Sequence, residues 1–152
     1  MKYRELDVFL PLQKVLRQWC DRKKWVEVPL ITSYIFTRAH PKEVPLMQYI
    51  PGVATVVKFG GKLIPISEEE IEIMRIITGN FTNIESSREH FNPGDMVNII
   101  AGPLMGVKGE LSHLKGKEKV VIKIEALKQY LFVDIPRIHL KKNTAKFTSK
   151  QA

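Results

Sequence analysis

Glycine spacing in the second half of the chain is the feature that most restricts its fold. Three of the nine glycines, Gly102, Gly106 and Gly109, lie in the stretch AGPLMGVKGEL at 101–111. Glycine permits a positive φ or a close backbone approach, so we expect sharp bends between short strands here. Strand-like runs surround the stretch at 96–100, 119–124 and 130–135, with a last edge at Ile138 and Leu140. Short strands at this spacing predict a small barrel.

Charge and cysteine content restrict the partners and the compartment. The 152 residues carry 24 Lys and Arg against 16 Asp and Glu, a formal net charge of +8, which favours a polyanionic partner such as nucleic acid. The single cysteine, Cys20, excludes an internal disulfide framework and is typical of a reducing compartment. No apolar run approaches the roughly 20 residues of a membrane-spanning helix. We therefore expect a cytoplasmic protein without a membrane segment, a metal or another cofactor.

Composition divides the chain into blocks. The stretch 79–90 lacks periodicity and is rich in Asn, Ser, Thr and charge, which is typical of a linker. We predict an α+β fold with a first domain over 1–78, the linker at 79–90, a five-stranded barrel over 91–141 and a basic tail over 142–152. The lysine-rich tail is expected to add only nonspecific attraction to polyanions.

The first block contains strand signals and one strong helix signal. Apolar runs at 7–12 and 26–30 flank a basic stretch and predict a long hairpin, and further strands are expected over 33–38 and 53–59. Ser67 and Glu70 form a capping box, with Ile66 and Ile71 as a hydrophobic staple. Ile71, Met74 and Ile77 then recur as a buried stripe, and Gly79 is expected to end the helix.

The glycine-rich segment carries a family resemblance. Residues 97–111 resemble the KOW motif, a strand followed by Gly-Pro-apolar-x-Gly-x-x-Gly, in which Gly102, Pro103, Leu104, Gly106 and Gly109 are the motif positions. The motif occurs in NusG-type transcription factors and in some ribosomal proteins. The resemblance implies an SH3-like barrel for this part of the chain.

The first block resembles the NusG N-terminal (NGN) domain. Residues 28–36 are similar to its PLFPGYVF strand, and 50–53 and 59–71 are similar to its PGV, FGG and P-I-x-x-x-E-I segments in the same order. The stretch 9–25 looks most like the UpxY type, specialised antiterminators related to RfaH that act on capsular polysaccharide operons. The resemblance implies a non-enzymatic factor that binds the clamp helices of the RNA polymerase largest subunit and promotes processive transcription.

Two sets of residues are candidates for contact with partners. The resemblance implies that Ile31 and Tyr34, with Phe36 and Val56 as weaker neighbours, contact polymerase. The alternative is that these side chains belong to the core, a role that is as typical as contact for Tyr34 and more typical for Phe36. The basic hairpin has charges that can follow phosphates and indoles that can stack on bases of non-template DNA or nascent RNA. The alternatives for the hairpin are a solvated face or contact with an acidic polymerase surface. The hairpin candidates are Lys14, Arg17, Trp19, Arg22, Lys23, Lys24 and Trp25.

The chain departs from the family pattern in three places. The usual first strand and helix are absent, which leaves a sheet edge or core uncovered and suggests either a truncated chain or self-association through the incomplete sheet. Ile31-Thr32-Ser33 replaces the family's FPG, which weakens the aromatic anchor of the clamp contact. Glu125-Ala126-Leu127 stands where the general factors carry an aromatic residue for a ribosomal protein, so the ribosomal contact loses its support.

Two other classes of protein are considered. A ribosomal or ribosome-associated RNA-binding protein would use the barrel alone, with salt-sensitive RNA binding by residues 91–152 and no polymerase affinity. An enzyme would group Cys20 with one of the four histidines at 40, 90, 113 and 139 as nucleophile and base. The spacing of these residues does not favour such a site.

Overall fold

The computed structural model describes residues 7–88, 94–114 and 116–142, and the expected tail beyond 142 and residues 91–93 of the expected barrel lie outside these ranges. The elements of the first part are β1 (Asp7–Phe9), β2 (Leu12–Gln18), β3 (Lys23–Pro29), β4 (Phe36–Arg38), α1 (Val44–Met47), β5 (Lys58–Phe59), β6 (Lys62–Leu63) and α2 (Glu68–Asn80). The remaining strands are β7 (Glu85–Ser87), β8 (Met96–Ile99), β9 (Lys108–Leu114), β10 (Lys117–Ile124), β11 (Gln129–Val133) and β12 (Leu140–Lys142).

The strands of the first part pair as three antiparallel ribbons, β1 with β4, β2 with β3, and β5 with β6. A long hairpin forms as β2–β3, but the predicted basic stretch supplies much of both strands, whereas the apolar run at 7–12 lies mostly before β2 and its β1 pairs with β4. The predicted strand over 33–38 shortens to β4, because Ser33 has a φ of 72° and the chain turns there. The strand expected over 53–59 is reduced to β5, since residues 53–57 pair with no strand in the described part of the chain.

Helix α2 begins as the capping signal predicts. The Ser67 hydroxyl accepts a hydrogen bond from the Glu70 backbone N–H at 3.1 Å, and Met74 and Ile77 are buried. The prediction that Gly79 ends the helix is wrong, because the helix continues to Asn80 and the extended backbone of Phe81 ends it. The chain there turns toward the core, against which Phe81 packs. The Glu70 carboxylate accepts a hydrogen bond from the Glu125 backbone N–H at 2.8 Å and so connects α2 to the second half.

The second half is a six-stranded antiparallel sheet with the strand order β12-β8-β9-β10-β11-β7. Strands β8 to β12 are the five strands expected in the barrel, and β7 is added beside β11. Strands β12 and β7 lie at opposite ends of this order, and closure of the five strands into an SH3-like barrel stays a prediction.

The three motif glycines serve two different backbone requirements. Gly102 and Gly106 have φ values of +85° and +93°, within the loop between β8 and β9. Gly109 lies within β9, where an added Cβ would be 2.6 Å from Val120 Cγ1 and 2.9 Å from the Val121 carbonyl oxygen. The expected sharp bend and close approach are thus confirmed, and motif residue Leu104 is buried beneath the loop.

The segment expected as a linker, 79–90, is part of the fold as far as Arg88; residues 89–90 lie outside the described ranges. It completes α2, and its strand β7 pairs with β11 through Ser86 opposite Leu131. The Ile84 side chain is buried. Its backbone carbonyl accepts a hydrogen bond from Gln13 Nε2 at 2.8 Å, while its N–H donates to Gln13 Oε1 at 2.7 Å. A sequence that looks polar therefore bridges the two halves.

The buried apolar side chains of both halves belong to one cluster. Leu30, Ile31 and Met74 come from the first half, and Ile124 and Leu131 are among the members from the sheet. The expectation of two separate units joined by a tether is corrected accordingly. The reason is that β7 joins the sheet edge and Gln13 binds the adjacent backbone, so the two halves bury their apolar faces against each other.

Candidate functional surfaces

The β2–β3 hairpin extends away from the protein body toward its turn. On its inner face, defined as the side that carries Gln13, exposure increases along β2 from buried Gln13 through half-buried Val15 to exposed Arg17. Opposite them on β3, Val28 and Val26 are half-buried and Lys24 is exposed. The base of the hairpin is thus packed against the segment that follows α2, and its outer end is free to contact a partner.

Arg17 and Lys24 lie directly opposite each other on the inner face. Like charges in this arrangement destabilise a strand pair. Neither side chain forms an ion pair within the part of the chain that the structure describes. A negatively charged ligand such as a phosphate would relieve this repulsion.

The turn of the hairpin adds an aromatic side chain to these charges. The Trp19 backbone N–H donates to the Arg22 carbonyl at 2.7 Å, and the Trp19 side chain is 53% exposed. Lys14, Lys23 and Trp25 instead lie on the opposite face, because each occupies the alternate register position. The structure therefore divides the seven candidate nucleic-acid residues between the two faces of the ribbon and its turn.

The four candidate polymerase-contact residues differ in accessibility. Ile31 and Phe36 are buried, at 2% and 8% exposure, and belong to the core cluster. Tyr34 and Val56 are half-buried. The Tyr34 hydroxyl accepts a hydrogen bond from Arg88 at 2.8 Å, a contact that sequence reasoning missed because the residues are 54 positions apart. In this arrangement only Tyr34 and Val56 of the four present side-chain surface to a partner.

Ion pairs of Arg38 connect β4 with β1 and with the start of α2. Arg38 in β4 donates to Glu68 at 2.6 Å and to Asp7 in β1 at 3.3 Å. The hydrogen bond with Glu68 and the charges of Glu68 and Asp7 raise the pKa of the Arg38 guanidinium. The Arg38 contacts therefore hold the β1–β4 ribbon against the start of α2.

Another ion pair joins β10 to the turn before β12. Arg137 donates two hydrogen bonds to the Glu118 carboxylate, at 2.7 and 2.8 Å. The hydrogen bond from Arg137 lowers the pKa of Glu118. Bidentate pairing of this kind fixes orientation as well as charge, so the turn before β12 is held against the start of β10.

The described residues contain no group of His, Cys, Asp and Glu side chains arranged to hold a metal ion. Cys20 is exposed at the hairpin turn. Neither described helix is long and apolar enough to cross a membrane.

A family model matches the first part of the chain. It is the NusG model, described as transcription termination factor nusG, and it matches residues 1–75 of the 152. The matched segment contains the β2–β3 hairpin, Tyr34, Val56 and the first part of α2. Residues 1–75 of this chain are therefore similar to the NusG family of transcription factors.

Proposed function

We propose that the protein is a transcription elongation and antitermination factor that binds the clamp helices of the RNA polymerase largest subunit. The NusG-family segment over residues 1–75 is the observation that carries the proposal. The KOW-like glycine loop gives it support, since Gly102 and Gly106 have positive φ values, one of the two reasons for which glycines were expected there. The chain then combines an NGN domain with a KOW domain, the two packed together. The likeness of residues 9–25 to the UpxY type extends the proposal to capsular polysaccharide operons.

Tyr34 is the side chain that we propose for the polymerase contact. It is half-buried, which is typical of an interface residue that packs on one side and meets a partner on the other. Val56 is also half-buried and is proposed to contact polymerase. Ile31 and Phe36 are buried and support the contact from within the core. The ring centroids of Phe36 and Phe9 are 6.3 Å apart.

Replacement of Tyr34 by alanine is expected to weaken capture of RNA polymerase by the full chain by about tenfold or more, because aromatic anchors dominate interface energetics. The measurement is a pull-down quantified over a polymerase titration, with readthrough of a terminator in vitro as the second readout. Tyr34→Phe separates the ring from the hydroxyl that Arg88 binds. The matched control is Tyr49→Ala, since Tyr49 is 71% exposed and is not one of the candidate contact residues.

Two results would contradict this assignment. Equal capture by Tyr34→Ala and wild type would remove Tyr34 from the contact. Absence of capture by the folded wild-type chain would contradict polymerase binding as a whole.

We also propose that the inner face and turn of the hairpin bind single-stranded nucleic acid. Arg17 and Lys24 oppose each other without a carboxylate partner among the described residues, and Trp19 is exposed at the adjacent turn. Paired cations beside an exposed indole are the arrangement in which phosphates are neutralised and a base stacks.

The double variant Arg17→Gln/Lys24→Gln is expected to bind a single-stranded oligonucleotide about tenfold more weakly at low salt. Removing two phosphate contacts should also reduce the slope of log K against log salt by about 1.4. Fluorescence anisotropy over a salt series measures both. The control is the double variant Lys58→Gln/Lys62→Gln, which makes the same charge change at exposed positions on the β5–β6 ribbon.

An unchanged slope in Arg17→Gln/Lys24→Gln would exclude the inner face as the nucleic-acid contact. The alternative function, a KOW-type RNA-binding ribosomal or ribosome-associated protein, predicts a different pattern. RNA binding would then survive the hairpin substitutions, would be lost on substitution of lysines in the second half such as Lys141, and would occur without polymerase capture.

A further inference from the structure

The face of the hairpin opposite the inner face carries large apolar side chains that the described chain does not cover. Along β1 and β2, every second residue points outward and is exposed, while Phe9, Pro11, Gln13 and Val15 between them are buried or half-buried. We name this surface the outer face. Its exposed apolar residues are Val8, Leu10, Leu12 and Leu16, with Trp25 on β3. Monomeric proteins rarely expose large contiguous apolar patches without a binding role.

Two opposite charges lie in the middle of this apolar surface. Lys14 and Glu27 are directly opposite each other across the hairpin and are both exposed. They form no ion pair with each other, and neither has another ion-pair partner among the described residues. Leu12 and Pro29 flank this pair on one side, and Leu16 and Trp25 flank it on the other.

This pattern is complementary to itself, and we propose that the outer face is the interface of a homodimer. The two copies pack with their outer faces together, and the two-fold axis lies between these faces, parallel to the strands and above the midline between β2 and β3. This axis places β2 of one copy over β3 of the other. Lys14 then faces the partner's Glu27, and Leu16 faces the partner's Trp25. A symmetric interface repeats each contact, so two ion pairs form beside an apolar centre.

Other arrangements are less favourable. A two-fold axis perpendicular to the strands through the same point would set Lys14 against Lys14 of the partner subunit, with like charges in contact. Among the described residues, β1 and β4 pair only with each other, so an outer edge of either strand could pair with the backbone of a second chain. That arrangement would leave the exposed apolar side chains of the outer face in water. In aligned packing, the strand directions of two facing sheets stay within about 30° of each other. A two-fold axis parallel to the strands gives such an arrangement.

The dimer leaves the candidate nucleic-acid surface accessible. Arg17 and Lys24 lie on the inner face, on the other side of the ribbon. Two copies joined through their outer faces would present two inner faces pointing away from each other. The inference does not depend on polymerase binding, and its failure would not affect the proposed function.

Sedimentation velocity of the full chain from about 1 to 100 µM tests the inference, with a reductant present because Cys20 is exposed. Wild type is expected to show a concentration-dependent dimer. Lys14→Glu and Glu27→Lys should each raise the dimer Kd by about tenfold or more, since every reversal creates two like-charge contacts. The double variant Lys14→Glu/Glu27→Lys should return the Kd to within about threefold of wild type. Leu16→Ser should weaken the dimer without a charge change.

Lys62→Glu is the control, because it makes the same charge change at an exposed site on β6. Circular dichroism establishes that each variant is folded. The inference is overturned if wild type sediments as a monomer at about 100 µM, if neither single reversal raises the Kd, or if the folded double variant fails to recover. It is also overturned if a monomeric wild type loses polymerase capture on Lys14→Glu, because the outer face would then belong to polymerase.

Discussion

Replacing Gln13 with leucine is expected to lower the free energy of unfolding by about 2–4 kcal/mol. The Gln13 side chain is 5% exposed and makes both hydrogen bonds to the Ile84 backbone. Leucine has a similar size but leaves the buried N–H and carbonyl of Ile84 without these partners. Urea denaturation followed by circular dichroism measures the change.

Gln18→Leu is the matched control, since Gln18 lies on the same strand but is exposed. The Gln18 side-chain amide donates a hydrogen bond to the neighbouring Trp19 carbonyl at 3.0 Å in an exposed position, so we expect a change within about 0.5 kcal/mol. Equal stability of the two variants would mean that the Gln13–Ile84 contact does not hold the halves together. The expected hydrogen-exchange result is faster exchange at Ile84 in Gln13→Leu.

The second large effect is expected for Gly109→Ala, a loss of about 3 kcal/mol in the free energy of unfolding. A Cβ at Gly109 would lie 2.9 Å from the Val121 carbonyl oxygen and 2.6 Å from Val120 Cγ1. The first of these atoms is backbone within the β9–β10 pair, so the strands would have to separate. Thermal and urea unfolding give the magnitude.

Two other glycines calibrate this prediction. Gly106→Ala meets no atom within 4 Å but retains a φ of +93°, so a smaller loss of about 1–2 kcal/mol is expected. Gly79→Ala, in α2 with no atom within 4 Å, should stabilise the chain by up to about 1 kcal/mol. If Gly109→Ala destabilised no more than Gly106→Ala, the close approach of β9 and β10 would not be the reason for the glycine.

The elements predicted correctly are those whose causes lie within a few residues. Ser67 caps α2 through Glu70, three positions away, and the β2–β3 hairpin joins two strands that are separated by only four residues in the sequence. The predicted helix end at Gly79 is wrong, because α2 continues to Asn80 and the extended backbone of Phe81 ends it.

The candidate surfaces were predicted less well. The basic and aromatic residues of the hairpin were identified from composition, but the division of Arg17 and Lys24 from Lys14 and Trp25 required the register. Ile31 and Phe36 were selected by resemblance, and their burial follows from packing against parts of the chain that a local pattern does not contain.

The sequence by itself determined the hairpin, the start of α2 and the glycine loop before β9, because propensity, capping and φ restrictions act between neighbouring residues. Only the tertiary structure decided that Ile84 is buried, that β7 extends the sheet and that both halves share one core. The Gln13–Ile84 contact joins residues 71 positions apart. Such a contact depends on the combined burial and hydrogen bonding of several elements at once, and neither residue indicates it alone.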